Sequence, residues 1–384
     1  MADLSSDHSK IRLNLHIYPS YFTNESRILR ESQAIIQLAI AERVVLVGLW
    51  KEGLPEKEEI SDNISLHRLK TIVGKKGNSR WSNVFTLLSF FVVLIRLTLR
   101  IKPQVINIHS LTLLPFGVLL KWISRSHLIY DAHELETETH ASKGIRKRVA
   151  QILERFFIKF VDHTIVVSHS IEAWYTHAYK IKEITTIKNI PETISVNGAR
   201  NTKSILGLEE TSQLYIYVGL LSGGRGIELL LNAFKDLQGS SKHLLFLGYG
   251  DLESKVKSNL GPNIHYLSAV PPHEVLEYVA GADVGLSIIE NTCLSYYYSL
   301  PNKVFEYMAA GVPFICSDFP DVKSEFEQFG VCWFIQSEKE LVELVSTLSS
   351  EEIKKRKSIV SQNRNKWTWS DESKKLKGVY SLLV

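Results

Sequence analysis

Cysteine is scarce in this chain, with three in 384 residues, Cys293, Cys316 and Cys332. That number and their irregular spacing exclude a disulfide framework and a structural zinc module, and make a reducing cytosol the simplest compartment. Long apolar runs are missing as well. The longest, Val84 to Ile95 (VFTLLSFFVVLI), has twelve residues and is too short to span a bilayer. The opening MADLSSDHSK lacks the apolar stretch of a signal peptide, so the expectation is a chain that is not exported. HELETETH places His133 and His140 seven positions apart, where a zinc-protease helix needs four. No zinc-finger spacing and no basic tract interleaved with aromatics occurs, which argues against nucleic acid as a partner. Internal repeats and low-complexity segments are also absent.

What is present describes a globular chain with 45% hydrophobic and 22% charged residues, long enough for two domains with their own cores. Short β-rich runs alternate with helical patterns, the mark of parallel sheets with crossover helices. Strands are predicted near Leu13–Ile17, Val44–Gly48, Ser65–Leu69, Val105–His109, Leu128–Tyr130 and Thr164–Val167. A second set is predicted near Leu214–Val218, Leu244–Leu247, Ile264–Leu267, Val284–Ser287 and Phe314–Cys316. The polar, aperiodic stretch IPETISVNGARNTK, from Ile190 to Lys203, separates them. The α/β reading is therefore two doubly wound domains, with ligands expected outside the carboxyl ends of the strands.

Charge is unevenly shared. Residues 1–200 hold 27 Lys and Arg against 19 Asp and Glu, and the remainder 18 against 22. The basic half, with Lys143, Arg146, Lys147, Arg148 and Arg155 close together, suits an anionic membrane face better than nucleic acid. The Val84–Ile95 run reads as a buried core helix. Its rival is a helix lying in the membrane interface, edged by Arg80, Trp81, Arg96 and Arg100.

The stretch SLPNKVFEYMAAGVP, Ser299 to Pro313, predicts a helix of about ten residues, with Pro301 in the first turn and Gly311 just past the end. Val304, Phe305, Met308 and Ala309 form its apolar stripe, so Asn302, Lys303 and Glu306 are expected to look away from the core. An ammonium beside a helix start attracts phosphate, and a carboxylate one turn later can accept hydrogen bonds from a sugar diol. A solvated surface pair is the plainer alternative. In LYIYVGLLSGGRGIELLLNAF a strand runs through Gly223, Gly224 and Gly226 into a helix, with Arg225 placed to fork onto an anion. IYDAHELETE puts His133 and Glu134 at the end of another strand, and His133 is the first choice for a residue beside reacting groups. Tyr18 to Arg30, YPSYFTNESRILR, is a strand-to-helix turn with Asn24 as the expected N-cap and Arg27 as a candidate contact to phosphate or acceptor.

SLPNKVFEYMAAGVPFICSD resembles the signature helix of the GT-B glycosyltransferases of family 4, in a variant with P-N-K-x-F-E-Y. IYDAHELETE and the upstream NIHSLTLLP, with His109, are similar to motifs of one branch of that family, and KWTWSDESKKLKGVYSLL resembles its closing helix. The resemblance implies two Rossmann-like domains facing across a cleft: residues 1–190 on the acceptor side, 191–366 for the nucleotide sugar, and 367–384 crossing back. It implies that Arg225, Lys303, Gly224 and Gly226 meet the donor diphosphate, and that Glu306, Asn302, Gly248 (in LGYGD) and Val270 (in YLSAV) meet the nucleoside. His133 and Glu306 would act in catalysis. His109, Glu134, Glu290, Tyr298 and Arg27 are further candidates for donor sugar or acceptor.

The chain departs from the family in two places. Arg225 stands where the family usually has Lys and Leu220 where it has Arg, so Lys303 is expected to supply the missing charge. The first acid of the E-x7-E pair is replaced by Tyr298, and Glu290 substitutes only if its loop folds back. The implied activity is retaining transfer of a sugar from a UDP- or GDP-linked donor to a hydroxyl of a lipid-linked glycan, as in capsule or lipopolysaccharide assembly. No D-x-D occurs, and neither a cofactor nor a metal is expected; the protein would be cytoplasmic, or peripheral on the inner face of the membrane. A nucleotide-sugar 2-epimerase and a catalytically silent GT-B scaffold share the fold and remain alternatives.

Overall fold

A computed structural model describes residues 10–23, 25–71, 80–140, 142–192 and 200–383, with the backbone alone for 80–88 and 272–273. Asn24, Trp81 and most of the polar break at 193–199 therefore lie outside the described residues or side chains. The chain divides into two compact units, Met1–Ile187 with Ser373–Val384, and Lys188–Glu372.

The first unit is built on β1 (Ile11–Ile17), β2 (Ala41–Leu49), β3 (Lys57–Ser61), β4 (Ile64–Leu69), β5 (Val105–Ile108), β6 (His127–Ala132), β7 (His163–Val166) and β8 (Ile184–Thr186). Their order across the sheet is β3-β4-β2-β1-β5-β6-β7-β8, parallel throughout except for β3, which pairs antiparallel with β4. The chain winds outward from β1 on one side and from β5 on the other, so the β1/β5 boundary is a topological switch point. Sequence periodicity missed β3, whose KEEIS is a charged edge strand, and β8, which has three residues, and in the second unit it missed the four-residue strand Cys332–Ile335.

The second unit contains β9 (Gln213–Leu220), β10 (Lys242–Tyr249), β11 (Ile264–Ser268), β12 (Val284–Ser287), β13 (Phe314–Ser317) and β14 (Cys332–Ile335). The order β11-β10-β9-β12-β13-β14 is all parallel and puts its switch point between β9 and β12. Both faces are covered, as parallel sheets require. Along β9, Leu214, Ile216 and Val218 join one apolar cluster with Val304, Phe305 and Met308, while Tyr215 and Tyr217 join another with Leu231, Phe234 and Phe246. This alternation on a continuously apolar strand is the physical meaning of its LYIYV sequence.

The helix at 302–309 is seated on this sheet by Tyr307. Its hydroxyl is 2.8 Å from the Leu286 carbonyl, and its ring lies where a Cβ on Gly285 would stand, 2.5 Å away. The Arg80–Ile101 helix buries Phe90, Phe91, Leu94 and Thr98, which fits the core-helix reading of that run in its described part. Among the described residues no helix is long and apolar enough to cross a membrane. Gly285→Ala is expected to lift Tyr307 off the sheet and cost about 2 kcal/mol or more, read as a lowered urea midpoint with unchanged slope.

Candidate functional site

In the second unit the polar residues gather at the β9/β12 switch point. The turn after β9 holds Gly224 at φ 78° and Gly226 at φ 69°, conformations that a side chain strains. Space is closed there too, since a Cβ on Gly224 would meet the Tyr296 ring at 2.6 Å and one on Gly226 would meet Ile288 at 2.7 Å. The loop after β12 folds back onto this turn. The Glu290 N–H donates to the Gly224 carbonyl at 2.9 Å, and the Gly226 N–H donates to the Glu290 carboxylate at 3.3 Å. Glu290 thus lies at the start of the Ile227–Asp236 helix.

Arg225 is half-buried, and its Nε is buried with no hydrogen-bond partner. A buried guanidinium N–H without an acceptor is costly unless an anion arrives. Lys303 corrects the expectation that the polar residues of its helix look outward. It is 8% exposed, with Nζ 3.6 Å from the centre of the Tyr217 ring. Burial first, and then the Arg225 guanidinium, push its pKa down to about 7 against the opposing pull of Glu306. A solvated Lys–Glu pair is therefore not what the fold builds.

The helix itself spans Asn302–Ala309, with Pro301 at its N-cap and Gly311 at φ 76° beyond its end. Asn302 and Glu306 are half-buried on it. Gly248 has a packing reason for its identity, because a Cβ there would stand 1.9 Å from the Gly219 carbonyl oxygen. Val270 follows β11 and packs against the core. Tyr298 caps the short Leu294–Tyr297 helix with its ring 5.5 Å from that of Tyr297. A cavity of about 430 Å³ at the ends of β12, β13 and β14 is lined in part by Glu290, Tyr297 and Asp318.

The first unit gathers histidines at its own switch point. His16 near the end of β1 meets His109 after β5, Nδ1 to Nε2, at 2.9 Å. His109 Nδ1 is 3.0 Å from Asp131 Oδ2 and 3.2 Å from His133 Nε2, and His133 Nε2 is 3.2 Å from the same carboxylate oxygen. The Asn14 amide sets the direction of this chain. Its Nδ2 donates to the Val105 carbonyl and Asn107 Oδ1, so its Oδ1 must accept from His16 Nε2 at 2.7 Å and from the Tyr380 hydroxyl. His16 Nδ1 then accepts from His109 Nε2, and His133 Nε2–H is the hydrogen aimed at Asp131.

Burial drives His109 down to about 4 and His16 well below the usual imidazole range, so both are neutral here. Burial opposes ionisation of Asp131, yet the Arg27 guanidinium and His133 hold its carboxyl well below the usual range. Arg27, a candidate phosphate contact in the sequence, is instead buried between Glu31 at 2.8 Å, Asp131 at 3.1 Å and the Ile187 carbonyl at 3.1 Å. His109 is likewise enclosed and acts on its neighbours, whereas His133 is partly open and Glu134 is exposed.

His16, Glu31, Asp131 and Tyr380 were not anticipated. A signal for the first was present, since His16 follows Arg12 and Asn14 on the polar side of an alternating strand that ends at the switch point. Glu136 was missed as well. It accepts from the Leu111 N–H at 2.6 Å and the Ser110 hydroxyl at 3.2 Å, and burial lifts it to about 7. His109, Asp131 and His133 converge closely enough to hold a metal ion, but Arg27 already neutralises the carboxylate such an ion would need.

Comparison with known proteins decides the family. The model described as "Glycosyl transferases group 1" matches residues 199–366, and that described as "Glycosyltransferase Family 4" matches residues 38–191. The chain belongs to the family 4 type of glycosyltransferase. It is 37% identical over 122 residues to the putative teichuronic acid biosynthesis glycosyltransferase TuaC of Bacillus subtilis (strain 168), a match covering 32% of this chain and 28% of that protein.

Solved structures similar along nearly the whole chain are GT-B glycosyltransferases. Sucrose-phosphate synthase from Thermosynechococcus elongatus superposes with a TM-score of 0.78 at 16% identity, covering 96% of this chain and 98% of that one. Anabaena Alr3699/HepE, solved with UDP and glucose, gives 0.73 at 12% identity over 96% and 99% of the two chains. WaaG, a glycosyltransferase involved in lipopolysaccharide biosynthesis, gives 0.67 at 13% identity over 94% and 98%. At these identities the likeness establishes the GT-B fold.

A Lys303 pKa of about 7 has a measurable consequence. An anion that needs the ammonium must recruit a proton once the solution is more alkaline than that value. UDP affinity is expected to fall as pH rises from about 7 towards 9, by up to about tenfold per unit, in titration calorimetry with net proton uptake. Lys303→Met should bind more weakly and lose this dependence.

Proposed function

We propose that the chain moves a sugar from a UDP- or GDP-linked donor to a hydroxyl of a lipid-linked glycan in surface-polysaccharide assembly, with retention at the anomeric carbon. The observation that bears most weight is the pairing at the β9/β12 switch point of an Arg225 Nε without an acceptor and a Lys303 ammonium kept out of water. Two cations held so close repel each other, and a diphosphate relieves both at once. The UDP-bound relative of the same fold supports a nucleotide-sugar donor, and the TuaC and WaaG relatives support a glycan acceptor.

In this reading the second unit holds the donor. Glycine N–H groups, Arg225 and Lys303 take the diphosphate, and Glu306 with Asn302 takes the ribose. As the glycosidic C–O bond to phosphate breaks, the acceptor oxygen attacks the same face of the sugar, and its proton passes to the leaving phosphate oxygen. Arg225 and Lys303 offset the charge that develops there, so the chemistry assigns no step to a metal or cofactor. In the first unit the His133 ring is held in one orientation by Asp131. Retention by this route needs no carboxylate nucleophile where Tyr298 stands.

The test is a screen of purified protein against UDP-, GDP-, dTDP- and CMP-sugars, following nucleotide release with and without membrane extract. Release of UDP or GDP that depends on extract is the expected result. An epimerised donor formed without acceptor would replace this reading with the epimerase, and failure to bind any of the nucleotides would remove it. Arg225→Ala is expected to weaken nucleotide binding by about ten-fold or more, as loss of a charged hydrogen bond does, and Glu306→Ala to weaken it as well.

A further inference from the structure

The Gly144–Phe157 helix has an amphipathic sequence, yet its apolar stripe is on the outside. Ile145 is 80% exposed, Ile152 67% and Phe156 55%, and Val149 and Leu153 are exposed beside them. Offsets of four, seven, eight and eleven from Ile145 put these five side chains along one side of the helix. The stripe continues onto the Leu114–Ser124 helix, where Leu119, Trp122 and Ile123 are exposed. Phe160 links the two, with its ring 5.6 Å from Phe156 and 5.4 Å from Trp122. Monomeric surfaces rarely leave so continuous a row of large apolar side chains to water.

Its charge is one-sided. Lys143, Arg146, Arg148, Arg155 and Lys159 are exposed along and beside the stripe, and among the described residues none has a carboxylate partner. Lys147 alone is paired, to Glu138 at 2.6 Å. The one acid of the helix, Glu154, is buried and turned inward to the hydroxyls of Tyr130, Tyr175 and Tyr179 at 3.1, 2.6 and 2.8 Å. Those three bonds clamp the helix to the unit by its inner side and leave cations and hydrocarbon outside. Between Arg148 and Arg155 a cavity of about 380 Å³, walled by Trp174 and Tyr179, is wide enough for a phosphate headgroup.

We propose that this face docks on a bilayer of anionic phospholipid, with Ile145, Val149, Ile152, Phe156 and Trp122 entering the headgroup boundary and the surrounding cations meeting lipid phosphate. Apolar burial alone would equally suit a second copy of the chain. Charge decides between them, because two copies would bring like-charged helices together, whereas an anionic leaflet satisfies both features. The docking helix is thus Gly144–Phe157; in the described part of the earlier sequence candidate Val84–Ile95, Phe90, Phe91 and Leu94 are inside the core and Val92 alone is exposed. The proposal rests on the transferase reading only for its biological purpose, and its test does not depend on activity.

The full chain is sedimented with vesicles of phosphatidylglycerol and phosphatidylcholine, and with phosphatidylcholine alone. Salt-sensitive binding to the anionic vesicles is expected, weakened about ten-fold or more in both Ile152→Asp/Phe156→Asp and Arg146→Glu/Arg148→Glu/Arg155→Glu, with unchanged circular dichroism and UDP affinity. Equal binding to neutral vesicles, or anionic binding indifferent to both variants, would overturn the assignment. A dimer in sedimentation velocity that dissociates in Ile152→Asp/Phe156→Asp, without vesicle binding by the parent, would assign the face to a second copy. Loss of UDP affinity in the parent chain would instead count against the donor site and leave the vesicle result standing.

Discussion

Asp131 sits at 0% exposure as a carboxylate, and the first unit is arranged around keeping it charged. An isolated ion in such a place is lost to protonation unless donors and an opposite charge surround it. Arg27 supplies the charge from the helix after β1, His133 Nε2 meets one of its oxygens from the loop after β6, and the His109 ring from the loop after β5 lies against the same oxygen. Three chain crossings at one switch point are thereby tied to a single group. His16, Asn14 and Tyr380 extend the network downward, and Tyr380 brings the end of the chain into the first unit's interior.

The second unit answers the same topology with the opposite electrostatics. Its switch point holds a cation pair whose mutual repulsion, added to burial, takes Lys303 to about 7. The one carboxylate that turns back to the glycine loop, Glu290, is taken up by a backbone N–H of the helix start. Glu306 offsets that repulsion in part and an incoming anion would relieve the rest, whereas the Asp131 cluster is balanced already. The contrast explains why binding is assigned to the second unit and orientation of His133 to the first.

A third arrangement places charge for reasons unrelated to either cluster. The Gly144–Phe157 helix buries its acid in a tyrosine cage and leaves its bases outside. That separation gives the surface a sign and an apolar ridge together, which neither the helix's amphipathic pattern nor its net charge would give alone.

Much was legible in the sequence because it depends on local spacing. Eleven strands were placed from short apolar runs, since a parallel strand covered on both faces must be apolar along its length. The glycine turn and the P-N-K helix were legible for the same reason: their caps and left-handed positions are set by adjacent residues. Burial and partnership were not. Periodicity put Lys303 on an outward face, while the sheet and Tyr217 enclose it, and it offered Arg27 to a ligand, while Asp131, 104 residues away in sequence, claims it. The exposure of Ile145, Ile152 and Phe156 was equally out of reach, because an amphipathic pattern states that a helix has an apolar side and not what that side faces. Local backbone chemistry determined which segments became strands, turns and helices; only the packing of distant segments decided which charges were buried, which were neutralised and which were left for a ligand.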